Sequence, residues 1–441
     1  MKAAFRILLS AIALAFNPFS TAVILAQVSH PPQISVNGRI YDWPTRPVAV
    51  VLIDGGDPEY VKAGLESDVL PNMKKFMTDG FASVALGAMP SFTNPNNMSV
   101  ITGLPPSGHG ISGNFFLNPD NGNEMMMDRP EFLQADSILA KFSEQGAKVV
   151  AITAKDKLTK LLAKDLKNGI VFSSEKADKC SKKENGIDNC LDYVGRPLPD
   201  PYSGALSLFV LEAGIKILER ERPDIMYLTM SDYVQHKYAP GSKEANEFYA
   251  AVDNALGRLV SLGAVVAITG DHGMNDKSKA DGMPNVVFLQ DLLDKEFGDG
   301  KAKVILPITD PYVKHHGALG SYATVFLNQV PPIEAMKIIE TQPGVQLVME
   351  RSSAAKAFDL PADRIGDLIV VGDRGTVLGK KRAELDLSEL SGMRLRSHGG
   401  LEDRNVYLMF SRPLNGKYSN IVLTRRLRNF DVFEIALNGV R

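Results

Sequence analysis

Three apolar runs in this chain each end on an aspartate: PVAVVLIDGG (Pro47–Gly56), DIMYLTMSDYVQH (Asp224–His236) and AVVAITGDHG (Ala264–Gly273). Runs rich in β-branched residues, alternating along the chain with helical patterns, are the mark of βαβ units and a mostly parallel sheet covered on both faces. Ligands of open α/β sheets bind just outside the carboxyl ends of the strands, so the first loop residue after each run is delivered to one edge. Asp54, Asp232, His236, Asp271 and His272 hold those positions. They are too many for one tetrahedral ion and predict two metal sites.

The expected fold is therefore α/β, a mostly parallel sheet sandwiched by helices. Its strands are predicted at Val48–Ile53, Ala82–Leu86, Lys148–Thr153, Ile225–Thr229 and Ala264–Thr269. Helices are expected over Leu70–Thr78, Leu206–Arg220 and Glu244–Leu262, each followed by a Gly or Pro stop. After about Met274 the pattern changes to short strands (Tyr322–Leu327, Val345–Met349, Leu368–Val371) around a helix at Pro332–Glu340. This predicts a smaller α+β cap inserted over residues 276–395 into a core of residues 46–275 and 396–441. The last segment is expected to return to the main sheet, because Val432–Leu437 has helical spacing of apolar residues.

Lys2 and Arg6 precede the apolar run Ile7–Phe16, and Ala22–Ala26 ends in a small residue, so residues 1–26 read as a secretory signal peptide. Asn17 and Pro18 break the run short of the roughly 20 apolar residues of a membrane-spanning helix. Export to the periplasm is expected, with no stable membrane span. Cys180 and Cys190, the two cysteines of the chain, lie ten residues apart in KCSKKENGIDNC and suit a local disulfide in an oxidising compartment. A formal net charge of −2 argues against a broad basic face for nucleic acid.

MPSFTNPNNMSVITG (Met89–Gly103) reads as a helix start, with Pro95 at the first helical position, Thr93 or Asn94 near the N-cap and Gly103 as the stop. Free backbone N–H groups there can receive an anion such as phosphate. Alone, Thr93 is a plain capping threonine. Beside a metal ion its hydroxyl becomes a usable nucleophile without a histidine base. Asp232 and His236, four residues apart, face the same way on a helical turn, and carboxylates mixed with imidazoles suit zinc better than manganese or iron.

These elements together resemble the alkaline phosphatase superfamily of two-zinc phosphoryl and sulfuryl hydrolases. The early strand ending in Asp54, Thr93 at a helix start, D-x-x-x-H at Asp232 and His236, D-H-G at Asp271–Gly273 and S-H-G-G at Ser397–Gly400 carry the likeness. Within it the chain is most similar to the phosphonoacetate hydrolase family, through PSFTNPNNMSVITG, TAKDKL (Thr153–Leu158), SSEKADK (Ser173–Lys179), DYVQHKYAPG (Asp232–Gly241) and ILPITDPYVKHHGALGS (Ile305–Ser321). The resemblance implies two zinc ions per chain, one held by Asp54, Thr93, Asp271 and His272, the other by Asp232, His236 and His398. It implies in-line attack of Thr93 on phosphorus and release of acetate and phosphate from phosphonoacetate. The substrate would be a small anionic phosphonate, with Lys155 or Lys157 meeting its carboxylate and Asn114 donating to a phosphonate oxygen.

A nucleotide pyrophosphatase or phosphodiesterase on the same scaffold is the alternative, and a metal-bound, non-catalytic binding protein a more distant one. A homodimer is compatible with the sequence. His315 and His316 read as a structural pair rather than a third metal site, His109 as orienting the loop to Asn114, and His30 as inert. Met125–Met127 read as core or pocket wall.

Overall fold

Seven strands form the central sheet of the computed structural model, which describes residues 32–310, 317–385 and 392–440. The expected signal peptide, His30 and the His315–His316 pair lie outside the described residues. In chain order the strands are β1 (Val48–Ile53), β2 (Phe81–Leu86), β3 (Val149–Thr153), β4 (Gly169–Ser173), β5 (Ile225–Thr229), β6 (Val265–Gly270) and β7 (Asn405–Phe410). Across the sheet they run β2-β7-β6-β1-β5-β3-β4. The five from β6 to β4 are parallel, and β7 is antiparallel to both its neighbours.

The strand pattern explains itself once both faces are covered. Val48, Val50 and Leu52 belong to one apolar core, while Ala49, Val51 and Ile53 belong to the other. A strand buried on both sides has no polar face to show, hence the unbroken apolar run. Each large side chain in it contributes roughly 1.5–3 kcal/mol of transfer free energy. Helices Pro58–Glu66, Pro71–Asp79, Ala205–Glu221 and Lys243–Ser261 pack on one face through residues such as Tyr60, Met73, Phe209 and Val252. Helix α1 (Thr93–Thr102), Ile138–Glu144 and Val432–Asn438 cover the other through Val100, Phe142 and Phe433.

The expected sheet lacked two strands. GIVFS at β4 and NVYLMF at β7 are both present, and β7 brings the chain back antiparallel, pairing Ala267 with Phe410. A four-stranded antiparallel sheet, in the order Ala302–Ile305, Tyr322–Leu327, Leu368–Gly372, Val345–Glu350, carries the helix Pro332–Glu340 and has its own core. Phe92 belongs to that core, and its ring meets Tyr322 edge-on at 6.1 Å. Packing outside the main sheet therefore sets the residue that precedes Thr93. A disulfide joins Cys180 to Cys190. Among the described residues no helix is long and apolar enough to cross a membrane.

Candidate metal centre

β6, β1 and β5 are neighbours, so the loops that follow them open side by side. Asp54 follows β1, Asp271 and His272 follow β6, and Asp232 lies between β5 and the short helix α2 (Tyr233–Lys237), which carries His236. His398, distant in sequence, directly follows the short strand Arg396–Ser397, which pairs with Asn275–Asp276 just beyond the D-H-G loop. Two glycines permit the close approach. A Cβ on Gly273 would lie 2.5 Å from Asp57 Oδ2, and one on Gly399, at φ +117°, would lie 2.5 Å from the Phe92 ring.

Two clusters result, Asp232 with His236 and His398, and Asp54 with Asp232 and His272, each with its ligand atoms within 4.8 Å of one another. Asp232 is common to both, whereas the sequence assigned it to one. His236 Nε2 is 2.8 Å from Asp232 Oδ2, His272 Nε2 is 3.2 Å from Asp54 Oδ1, and His398 Nε2 is 3.8 Å from Asp232 Oδ2. Asp271 Oδ2 lies 3.6 Å from His272 Nε2. Its other oxygen accepts the Gly55 and His272 N–H groups, which leaves one oxygen for a ligand.

All three imidazoles are oriented alike. Nδ1 of His236 faces the Arg396 carbonyl at 2.6 Å, that of His398 the Ser91 carbonyl at 2.7 Å, and that of His272 the Gly273 carbonyl at 2.9 Å. A carbonyl only accepts, so each Nδ1 carries a proton and donates it, which leaves Nε2 of each ring facing the centre. Asp54 Oδ1, Asp271 Oδ2 and His272 Nε2 are buried with no hydrogen-bond partner. Buried acceptors left this way each cost about 1–3 kcal/mol, and a shared divalent cation satisfies all three. The donor set fits a metal.

The charge balance points the same way. Burial, and then the charges of Asp232 and Asp271, hold the Asp54 carboxyl well above the usual carboxylate range. Burial pushes Asp271 up to about 7. Burial, with His272 and His236 alongside, holds the His398 imidazole well below its ordinary range. The His272 and His398 rings are stacked at 3.5 Å with 6° between planes, an arrangement suited to neutral donors.

The sequence profile of type I phosphodiesterases / nucleotide pyrophosphatases matches residues 48–400, a span that contains every residue above. The chain belongs to this family. It lies within the alkaline phosphatase superfamily, and the fold is alkaline-phosphatase-like. Among solved structures, phosphonoacetate hydrolase from Sinorhizobium meliloti 1021, in complex with phosphonoformate, is 47% identical, with a TM-score of 0.88 over 93% of this chain and 99% of that one. The same protein in complex with phosphonoacetate gives 46% and 0.87. Murine ectonucleotide pyrophosphatase / phosphodiesterase 5 shares the fold at 16% identity and a TM-score of 0.60, covering 88% of this chain and 93% of that one. A pyrophosphatase/phosphodiesterase of Schizosaccharomyces pombe is 22% identical over 255 residues, 55% of this chain, and the chain spans 44% of that relative's length.

Around this family site the remaining expectations divide. Helix α1 begins at Thr93 itself, two residues earlier than the sequence suggested, with Phe92 as the extended N-cap and Pro95 at the third position. The Asn94 N–H is taken by Asn114 Oδ1 at 2.9 Å and Pro95 has none, so the helix offers an anion little beyond the Thr93 N–H. The correction matters for Asn114. Its oxygen is committed to the helix, which turns its NH2 the other way.

Lys157 is largely but not fully buried, with its Nζ 2.7 Å from Asp310 Oδ2. Burial lowers its pKa, but Asp310, and then Asp54 and Asp232, raise it by more, so it stays charged and feels the ligand carboxylates. Lys155 instead reaches the Pro201 carbonyl at 3.4 Å and lies over the Tyr202 ring. Met127 is buried and its carbonyl accepts from Asn94 Nδ2, while Met125 and Met126 are half-buried. A groove of about 920 Å³ lies at the opposite, amino-terminal end of β3 and β4 and holds none of these residues.

Sequence reasoning missed the supports. Asp310 is separated from Lys157 by 153 positions. Arg396, buried, donates to the Gln235 and Met274 carbonyls and to Tyr60 Oη, tying α2 to the D-H-G loop. No local pattern marks such long-range partners.

His109 does lie against the loop to Asn114, its Nδ1 accepting the Ile111 N–H at 3.1 Å and its Nε2 meeting Ser99 Oγ at 2.9 Å. Burial pushes its pKa down to about 3. The unfolded chain takes up a proton near pH 6.5 that the folded protein cannot, so stability present above pH 6.5 is lost as pH falls, by about 2 kcal/mol at pH 5. Urea melts of wild type and His109→Gln at pH 7 and pH 5 check this. The pH 5 penalty should shrink by about that amount in the variant, and an unchanged penalty would put the titration elsewhere.

Proposed function

We propose that the chain hydrolyses the carbon–phosphorus bond of phosphonoacetate, giving acetate and phosphate. The observation that carries this reading is the 47% identity to phosphonoacetate hydrolase of Sinorhizobium meliloti 1021 over 93% of the chain. Two divalent ions, zinc from the mixture of imidazoles and carboxylates, would be held by Asp232, His236 and His398 and by Asp54, Asp271, His272 and Thr93. Bound there, they would neutralise charge on the phosphonyl oxygens and lower the pKa of the attacking hydroxyl.

The chain's own residues do the rest. Thr93 Oγ gives up its proton and attacks phosphorus as the C–P bond breaks. The electron pair leaves on carbon, delocalised into the carboxylate as an enolate, and uptake of one proton, matching the one Thr93 releases, converts it to acetate. Water then attacks the phosphothreonine and returns the hydroxyl. The Asn114 NH2, turned away from the helix, donates to a phosphonyl oxygen. Lys157 is the better placed of the two candidate lysines to meet the enolate, because it is charged, nearly buried and coupled to Asp54 and Asp232. Lys157→Met is expected to lower kcat/KM for phosphonoacetate on the order of 10²–10³-fold. Cleavage of an aryl phosphate diester should change little. Equal losses on both substrates would reject the assignment.

The family profile and one feature of the site favour a second reading, a nucleotide diesterase: Tyr233, next to Asp232, and Tyr202 bring their rings within 6.3 Å, where a base could stack. Phosphate release from phosphonoacetate, measured beside an aryl diester and a chelator control, separates the two. Chelator-sensitive turnover of phosphonoacetate well above the diester supports the first reading, and the reverse ranking supports the second. The Cys180–Cys190 disulfide supports an exported location, in which oxidising conditions keep the bond. N-terminal sequencing of periplasmic protein that still began at Met1 would contradict removal of a leader.

A further inference from the structure

The loops that carry His272 and His398 meet at one buried carboxylate. Asp403 Oδ2 accepts the Gly400 N–H at 2.9 Å, two residues past His398. Its Oδ1 accepts from Asn275 Nδ2 at 2.5 Å, and its backbone carbonyl accepts the Gly273 N–H at 2.6 Å, directly after His272. The counter-ion is Lys277, with Nζ 3.1 Å from Oδ2. Both side chains are closed off from solvent, at 0% and 1% exposure. Asn275 is itself held from outside by Arg374 Nε at 2.8 Å.

A buried lysine–carboxylate pair stabilises a fold no better than apolar residues of the same shape, so stability alone does not account for it. What the pair does locally is specific. Its hydrogen bonds cross from one ligand loop to the other, beside two imidazoles stacked at 3.5 Å. We infer that Asp403, with Lys277 as its counter-ion, is a positioning residue that fixes the spacing of His272 and His398, and so of the two metal clusters. The inference rests on the metal reading of the site but not on the identity of the substrate.

Two charge-neutral double variants test it. Lys277→Met with Asp403→Asn keeps an acceptor oxygen at position 403, whereas Lys277→Met with Asp403→Leu removes it. Neither leaves an unpaired charge, but the leucine variant is expected to melt lower when metal-free, because the Gly400 N–H and Asn275 Nδ2 lose their acceptor. Zinc affinity, read without substrate by competition with a chromogenic chelator, should fall on the order of 10–100-fold in the leucine variant and stay close to wild type in the asparagine variant. With zinc in excess, kcat on phosphonoacetate should fall in the leucine variant and KM change little. Equal zinc affinity in the two variants, or an equal loss in both, would overturn the inference.

Should the leucine variant fail to fold, Asn275→Ala decides. It removes one cross-loop donor and leaves the ion pair intact. A zinc affinity reduced severalfold is expected, and an unchanged affinity would overturn the inference. Because zinc binding is read without substrate, failure of the phosphonoacetate reading alone would leave this result standing.

Discussion

Replacing Thr93 with alanine is expected to cut turnover of phosphonoacetate by about 10⁴-fold or more, the scale on which loss of a covalent nucleophile is felt. The metal content should remain close to wild type. The fold does not need this side chain, because the backbone around it is held independently. Asn97 Nδ2 donates to the Thr93 carbonyl at 3.0 Å, Asn96 Nδ2 to the Phe92 carbonyl at 3.1 Å, and the Asn94 N–H reaches Asn114. Asn97 is in turn fixed by Tyr227 and Thr229 from β5. Stability should therefore change by about 1 kcal/mol or less. Single-turnover assays and metal analysis of the purified variant check both halves, and a variant that keeps a tenth of wild-type turnover would remove Thr93 from the chemistry.

Asp232→Asn should show two effects of opposite sign. In metal-free protein, Asp232 and Asp271 add to burial in raising the pKa of Asp54. A carboxyl raised in the folded state favours the fold below the unfolded pKa near 4 and weakens it as pH rises and the group is forced to ionise. Removing the Asp232 charge should relieve this, making the metal-free variant the more stable of the two at pH 8. Near pH 4 the gain should vanish. In metal-loaded protein the sign reverses, because Asp232 belongs to both clusters. Wild type should gain about 4 kcal/mol at a thousandfold excess over the dissociation constant, and the variant should gain little. Melting curves at pH 8 with chelator and with zinc check it. A variant still stabilised like wild type by zinc would show that Asp232 is not a metal ligand.

The strands at the centre of the sheet were readable because burial on both faces leaves a continuous apolar run, as in Val48–Ile53 and Ile225–Thr229, which match in full. Asp54, Asp232, Asp271 and their histidines were readable for a related reason: an α/β sheet puts the residue after each such run at one edge. His398 was not; on its own it is a loop histidine, and it entered through the S-H-G-G likeness alone. β7 escaped because its partners, β6 and β2, are far off in sequence and nothing near NVYLMF fixes an antiparallel return. The start of α1 was displaced because Phe92 is drawn outward into the core of the second sheet, a pull that no local capping rule contains. Lys157 with Asp310, and Asp403 with Lys277, are pairs whose partners only folding brings together.

The order in which the cluster residues leave the ribosome also has a consequence. Asp54 is made first, Asp232 and His272 roughly 180–220 residues later, and His398 more than 120 residues after that. No pair of neighbouring residues can hold an ion as the folded centre would, and the Asp232–His236–His398 cluster has no third member until residue 398 has been made. Contacts this distant in sequence carry a loop-closure cost that slows their formation. An ion that needs all three of these ligands would thus be taken up only after residue 398 has been made, from the ions available where folding is completed.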